Sequence, residues 1–248
     1  MDRWRGKTAV VTGASAGIGA AICVKLADEG LRVVGLARRP QLIDDLKPLV
    51  RGSGTIVSRK CDVSSSEEVA SAFQWVDHHC GGVSVLVNNA GVFYRGCITG
   101  MILYTTAELL STIDINVKGT VLCARRAITS MLKHGHRGHV INVNSLAGHY
   151  MPFMKTFNVY PSTKYAVTAL TGALLNELAE TEAGIKITSL SPGLVATELA
   201  GLPDDTSLPA LQPADIADAV LYLLSTPPHI NVSYLKYDHE MFSLKKVT

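Results

Sequence analysis

Short apolar runs alternate with stretches of helical periodicity along nearly the whole chain. Thr8-Ala9-Val10-Val11 is the first such run. After it, Ala20, Ala21, Ile22, Val24, Leu26 and Ala27 keep a helical spacing that stops at Gly30. Further strands are predicted over 32–37, 55–58, 83–87, 138–145 and 185–190, with a last one near 232–236. Helices are predicted between them. One lies near 41–51, and a second starts at the capping-box pair Ser64 and Glu67 and runs to about His79. A single long helix is predicted from Glu108 to about Lys133, another from about Tyr160 through Leu178, and a last from Pro213 to Leu224. Strands that are apolar throughout, alternating with helices, predict a parallel sheet covered on both faces. Such a sheet binds ligands at the carboxyl ends of its strands. Residues 198–212 carry Gly201, Pro203 and Pro209 and little periodicity, which predicts a loop acting as a mobile lid. No repeat, linker or low-complexity segment interrupts the pattern, so residues 1–248 are expected to form one domain.

Composition narrows the function classes. With 18% charged residues and a net charge of +2, the chain lacks the footprint of a nucleic-acid binder. Hydrophobic residues make up 47%, enough for a large core, yet no apolar run is long enough for a membrane span. Met1-Asp2-Arg3-Trp4-Arg5-Gly6-Lys7 precedes only a short apolar strand and does not read as a signal peptide. The five cysteines are odd in number and scattered, with no Cys-x-x-Cys, so reduced thiols and a cytoplasmic location are expected. His134, His136 and His139 stand close in sequence but have no interleaved cysteine or acid. They predict a solvated turn and no metal site. Asn231-Val232-Ser233 has the form of a glycosylation sequon, which carries no meaning in a cytosolic chain.

Candidate chemistry falls at the strand ends. Thr12-Gly13-Ala14-Ser15-Ala16-Gly17-Ile18-Gly19 joins the first strand to the first helix. Glycines there let the backbone approach a pyrophosphate, and the helix N-terminus offers N–H donors. The second strand ends in Arg38-Arg39, where a chain selective for NAD would place an acid against the ribose hydroxyl. Guanidinium forks match phosphate oxygens, so NADP is favoured; the alternative is a solvated basic pair. Tyr160 and Lys164, four apart, share one helix face. Pro161 then sits in the first turn, where its missing N–H costs little. A nearby ammonium favours the phenolate, so a tyrosine that ordinarily titrates near 10 is expected to be lowered. The spacing alone is weak, since chance supplies about 0.4 such pairs in a chain of this composition.

Together these segments make the sequence similar to the short-chain dehydrogenase/reductase family, from Lys7 to about residue 237. Thr12-Gly13-x-x-x-Gly17-x-Gly19 resembles its cofactor turn, and Asn88-Asn89-Ala90-Gly91 its Asn-Asn-Ala-Gly signature. Asn116, Ser145, Tyr160 and Lys164 match its catalytic tetrad, and residues 191–197 resemble its segment against the nicotinamide. The resemblance implies an α/β fold: a single-domain Rossmann-type, doubly wound parallel sheet of about seven strands. It implies NADP(H) held by Gly13, Ser15, Ala16, Gly17, Ile18 and Gly19, by Arg38 and Arg39, and by Asp62 and Val63. Asn89, Ala90, Gly91, Tyr160, Lys164, Pro192, Gly193, Val195 and Thr197 complete the implied cofactor set. It implies hydride transfer with Tyr160 exchanging the proton, Lys164 lowering the tyrosine pKa and holding the nicotinamide ribose, Ser145 orienting the substrate oxygen, and Asn116 holding a relay water. Association into a homodimer or homotetramer through helices near 105–131 and 158–180 is a family expectation. A dinucleotide-binding sensor without turnover is the alternative.

The substrate walls are expected from three stretches: Phe93 and Tyr94; Leu146, Tyr150, Met151, Phe153, Met154 and Phe157; and Leu194, Val195, Leu199 and Leu202. Arg95, Lys155 and a protonated His149 are the few cations nearby. Such a pocket favours a lipophilic alcohol or carbonyl compound, a terpenoid alcohol such as farnesol, with a steroid-like ketone as the alternative. Residues 3–15, 33–39 and 165–171 are similar to family members acting on such compounds, whereas 96–104 and 237–242 depart from them.

Overall fold

The computed structural model describes residues 1–99, 105–151, 156–201 and 209–239. Seven parallel strands form one sheet in the order β3-β2-β1-β4-β5-β6-β7. They are β1 (Thr8–Thr12), β2 (Arg32–Ala37), β3 (Thr55–Lys60), β4 (Val85–Asn88), β5 (His139–Val143), β6 (Lys186–Pro192) and β7 (Tyr234–Tyr237). The helices are α1 (Gly17–Asp28), α2 (Gln41–Asp44), α3 (Ser66–Cys80), α4 (Thr106–Ile113), α5 (Thr120–Lys133), α6 (Tyr160–Ala179) and α7 (Pro213–Ser225).

The continuous apolar strands explain the two-sided core. Successive residues of a strand point to opposite faces. Ala9 and Val11 of β1 pack with Ile22 and Leu26 of α1 and Ile216, Val220 and Leu223 of α7. Val10, between them, packs on the other face with Phe73 and Val76 of α3 and Ala127 and Met131 of α5. At β1 the strand order turns back, with β2 on one side and β4 on the other. The carboxyl ends of β1 and β4 therefore flank the crevice where such sheets bind ligands. Among the described residues no helix is long and apolar enough to cross a membrane.

Four details differ from the sequence pattern. The helix expected near 41–51 is only α2 followed by a 3-10 turn, Lys47–Leu49. Pro48 lacks an N–H and its ring would clash with the carbonyl four residues back. The cap of α3 is Ser65, whose side chain accepts from Glu68 N, rather than Ser64 with Glu67. Ser64 is engaged elsewhere, donating N–H and O–H to Asp62 Oδ1. The long helix from 108 to 133 is split: a π-helical stretch, Asp114–Gly119, lies between α4 and α5. Its wider turn is where Asn116 sits. His139 does not lie in a solvated turn. It opens β5, is buried, and its Nε2 pairs with Thr188 Oγ1 at 2.8 Å.

The segment expected to be a lid is pinned at its described ends. Glu198–Ala200 forms a 3-10 turn, and Leu211 exchanges backbone bonds with Leu194 and Ala196. Residues 202–208, and with them Leu202, fall outside the described residues, as do Phe153, Met154, Lys155, and residues 100–104 and 240–242 of the divergent stretches 96–104 and 237–242.

Candidate active site

A cavity of about 360 Å³ opens at the carboxyl ends of β1, β2 and β4. Its floor is the β1–α1 turn. Gly13 has a left-handed φ of +64°, and a Cβ there would stand 2.8 Å from Ala90 Cα. Gly19 does not line the cavity. A Cβ on it would lie 2.3 Å from the Gly13 carbonyl oxygen, so this glycine lets α1 close up beneath the turn. Thr12 Oγ1 accepts from both Asn89 N and Ala90 N, and Asn89 Nδ2 donates to the carbonyls of Thr12 and Gly13. The two strand ends are thereby locked edge to edge. No side chain caps the N-terminus of α1, so its first N–H groups remain available to an anionic ligand.

Gly13, Ser15, Ala16, Gly17 and Ile18 line this cavity, together with Arg38, Arg39, Asp62, Val63, Asn89, Ala90, Gly91 and Thr197. The two arginines follow β2, which ends without a carboxylate. Burial pushes the Asp62 carboxyl up, but its bonds from Ser64 and the charges of Arg38 and Lys118 outweigh this, and its pKa is lowered. Open helix N–H groups, glycines that admit close approach and a basic far end together fit a dinucleotide with an extra phosphate. Of the remaining residues assigned to the cofactor, Pro192 ends β6, Val195 is buried and bridged to Leu211, and a Cβ on Gly193 would collide with Asp238. None of these three is on the cavity wall, whereas Val92, which opens the Val92-Phe93-Tyr94 stretch expected on the substrate wall, and Ile115, which the sequence did not single out, are.

The residues matched to the tetrad converge beside this cavity. Ser145 follows β5 and caps a short 3-10 turn, its Oγ accepting from Ala147 N at 3.1 Å. Tyr160 begins α6 and hydrogen-bonds the Ser145 side chain. Lys164 is buried one turn on, its Nζ donating to Val143 O at 3.1 Å and lying 5.7 Å from the Tyr160 ring centroid. Asn116 is buried in the π-helical stretch. Its Nδ2 donates to Val92 O and Thr163 Oγ1, and its Oδ1 accepts from Val92 N.

The electrostatics correct one expectation. The tyrosine is not lowered: burial pushes it up to about 12, with the Ser145 bond pulling the other way. Burial also lowers Lys164 to about 8. Desolvation opposes both charged forms and is the leading cause at each.

Three positioning residues were given no role of their own in the sequence. Thr12 is one. Thr163 is another, accepting from Asn116 and donating to the Tyr160 carbonyl at 2.7 Å, which ties the π-helical stretch to the start of α6. The third, Asn158, is the only described non-glycine residue with positive φ, at 43°. Its Oδ1 accepts from Val159 N and Tyr160 N, and its Nδ2 donates to Tyr94 O. An Asn three residues ahead of a helical Pro is a faint local signal, because asparagine tolerates this backbone.

Phe93 packs 5.0 Å from the Tyr160 ring and 5.1 Å from Phe157. Gly96 bridges Phe157, so the first two predicted wall stretches form one apolar surface. Leu146 is buried, while Met151 is 61% exposed and stands off the wall. The nearby cations among the described residues are occupied. Arg95 donates to Ala200 O, and His149 Nε2 pairs with Ser191 Oγ at 2.8 Å. Burial, then Lys236, lowers the His149 pKa and disfavours the protonated form considered from sequence. Among the described residues no group of histidine, cysteine or carboxylate side chains is arranged to hold a metal ion.

Residues 7–206 match a family model described as short chain dehydrogenase. A farnesol dehydrogenase of Aedes aegypti is 44% identical over 241 residues, covering 95% of this chain and 96% of its own. Dehydrogenase/reductase SDR family member 11 of Mus musculus is 38% identical over 262 residues, covering 100% and 98%. Among solved structures, an alcohol dehydrogenase of Thermococcus sibiricus complexed with 5-hydroxy-NADP superposes with a TM-score of 0.81 at 28% identity, covering 93% and 95%.

Proposed function

The chain belongs to the short-chain dehydrogenase family, and from that premise we propose an NADP(H)-dependent oxidoreductase acting on a lipophilic alcohol or carbonyl compound, with a terpenoid alcohol such as farnesol as substrate. The observation that carries this reading is the convergence of half-buried Ser145 and Tyr160 with buried Lys164 beside a glycine-floored cavity that ends in Arg38 and Arg39. When bound, the nicotinamide supplies the hydride donor or acceptor. Ser145 orients the substrate oxygen, and Tyr160 Oη gives it a proton or takes one. Because burial keeps the phenol protonated, it begins a carbonyl reduction as the acid. Lys164 supplies the adjacent positive charge that offsets phenolate character during transfer. Both Asn116 Nδ2 protons are taken by Val92 and Thr163, so a relay water there would donate to Asn116 rather than accept from it. Phe93 and Phe157 give the substrate side an apolar lining, which favours a neutral hydrocarbon body.

The test is kcat/KM for farnesol, a ketosteroid, glucose and acetoacetyl-CoA, each with NADP(H) and NAD(H). Farnesol with NADP+ is expected to lead. A ketosteroid in first place would move the substrate within the lipophilic class, and a lead for the sugar or thioester would overturn the pocket argument. Tight NADPH binding without turnover on any of them would make the protein a sensor. We further propose that copies associate through α4, α5 and α6, since Leu110, Ile113, Val121 and Leu132 expose large apolar side chains. Sedimentation of a clean monomer at micromolar concentration would reject this.

A further inference from the structure

We propose that the protein carries a second ligand site, for a small multiply charged oxyanion, in a basic cavity at the amino-terminal edge of the sheet. The cavity measures about 300 Å³ and is lined by Arg3, Trp4, Lys7, His136, Arg137 and Lys186 among others, with no acidic residue on its wall. Lys7 precedes β1, Arg137 and Gly138 precede β5, and Lys186 opens β6. A strand of five residues spans roughly 17 Å, so this cavity is separated by the thickness of the sheet edge from the catalytic end.

The charge collected here is solvated but not neutralised. Lys186 is buried, and its Nζ donates to Thr226 O, Thr226 Oγ1 and Pro227 O. Arg3 Nη2 donates to Leu224 O and Thr226 O. All these acceptors are neutral dipoles at the carboxyl end of α7, and among the described residues no carboxylate pairs with Arg3, Lys7, Arg137 or Lys186. Neighbouring groups register the resulting positive field. Lys186 is lowered to about 8 by burial and then by Arg3. His139, opposite Lys186 in the sheet register, is lowered by burial and then by Lys186 and Arg3. Its buried Nδ1 has no hydrogen-bond partner among the described residues. A structural role accounts for Arg3 and Lys186 as ties on the end of α7. It does not account for the side chains of Lys7 and Arg137, which are exposed, have no described hydrogen bond or ion pair and stand over the same hollow. Guanidinium and ammonium groups converging on one concave surface, next to the indole of Trp4, suit a phosphate- or carboxylate-bearing small molecule.

Pyrophosphate and citrate serve as probes, titrated into the full-length protein at constant ionic strength and read by calorimetry and thermal shift. Saturable binding of either is expected, and which of them binds more tightly distinguishes phosphate from carboxylate chemistry. The double variant Lys7→Glu, Arg137→Glu alters exposed side chains only and should weaken that binding roughly 10-fold or more, while NADPH affinity is retained. The double variant Arg38→Ala, Arg39→Ala should leave it intact. No saturable binding, or binding lost with Arg38 and Arg39 but kept in the Lys7 and Arg137 variant, would overturn the proposal without touching the reading of the catalytic site.

Discussion

Removing only the Tyr160 hydroxyl leaves its ring packed on Phe93 and deletes the proton donor. Tyr160→Phe is expected to lower kcat by roughly 10²–10⁴-fold while NADPH still binds. Near wild-type turnover would dismiss the proposed acid. The cofactor's identity rests on other residues. Arg38 and Arg39 stand on the cavity wall with no carboxylate at the end of β2. A charge-assisted bond to phosphate contributes about 1.5–3 kcal/mol, on the order of 10–150-fold. Replacing both arginines by alanine should therefore erode the ratio of NADP to NAD affinity by at least that lower figure. An unchanged ratio, measured by quenching of protein fluorescence, would remove the case for NADP. Arg38 and Arg39 were legible in the sequence because their type and their place after a strand coincide, and Tyr160 through its spacing to Lys164 together with the family resemblance. Asn158, Thr163 and Thr12 were not, because what they do depends on partners 64, 47 and 77 positions away.

At the scale of elements, the β1–α1 turn and the π-helical stretch do the positioning. Gly19 shows how the turn works: a methyl group there would meet the Gly13 carbonyl at 2.3 Å, and backbone cannot swing aside as a side chain can. Gly19→Ala should therefore push α1 off the turn. Dinucleotide affinity is expected to fall at least tenfold, with a stability loss of about 1–3 kcal/mol, a typical cost of overpacking. Unaltered affinity and melting temperature together would show that the turn accommodates the methyl. The π-helical stretch between α4 and α5 turns Asn116 toward Val92 and Thr163. Hydrophobic spacing cannot reveal such a stretch, since one extra residue per turn leaves the apolar stripe running on either side of it.

At the scale of the whole molecule, the buried histidine of β5 couples stability to pH. His139 is held neutral in the folded protein by burial, then by the charges of Lys186 and Arg3, and its pKa falls to about 3 from an ordinary 6.5. Between these values the unfolded chain binds the extra proton, so stability is lost as pH falls through that window. The loss is on the order of a few kcal/mol. His139→Gln keeps a polar group near Thr188 but cannot titrate, and should flatten the dependence of melting temperature on pH there. An equally steep acid slope in the variant would assign it to other groups.

Alternation of strand and helix, both sheet faces apolar, and ligand residues at strand ends followed from local pattern, because burial on two faces and the chirality of crossovers leave few topologies open. The Gly13 turn and Arg38 and Arg39 were equally local, each being a residue type tied to a place along an element, while the order Asn116, Ser145, Tyr160, Lys164 was legible through the resemblance to the family. Tertiary structure alone decided the rest. It set the direction in which Tyr160 and Lys164 are shifted, which is that of desolvation and not of the pair attraction that their spacing suggested. It buried His139, which the sequence groups with His134 and His136 as solvated, and gathered Arg3, Lys7, Arg137 and Lys186 around one cavity. Burial and electrostatic field are sums over everything that packs nearby, and no window of sequence contains them.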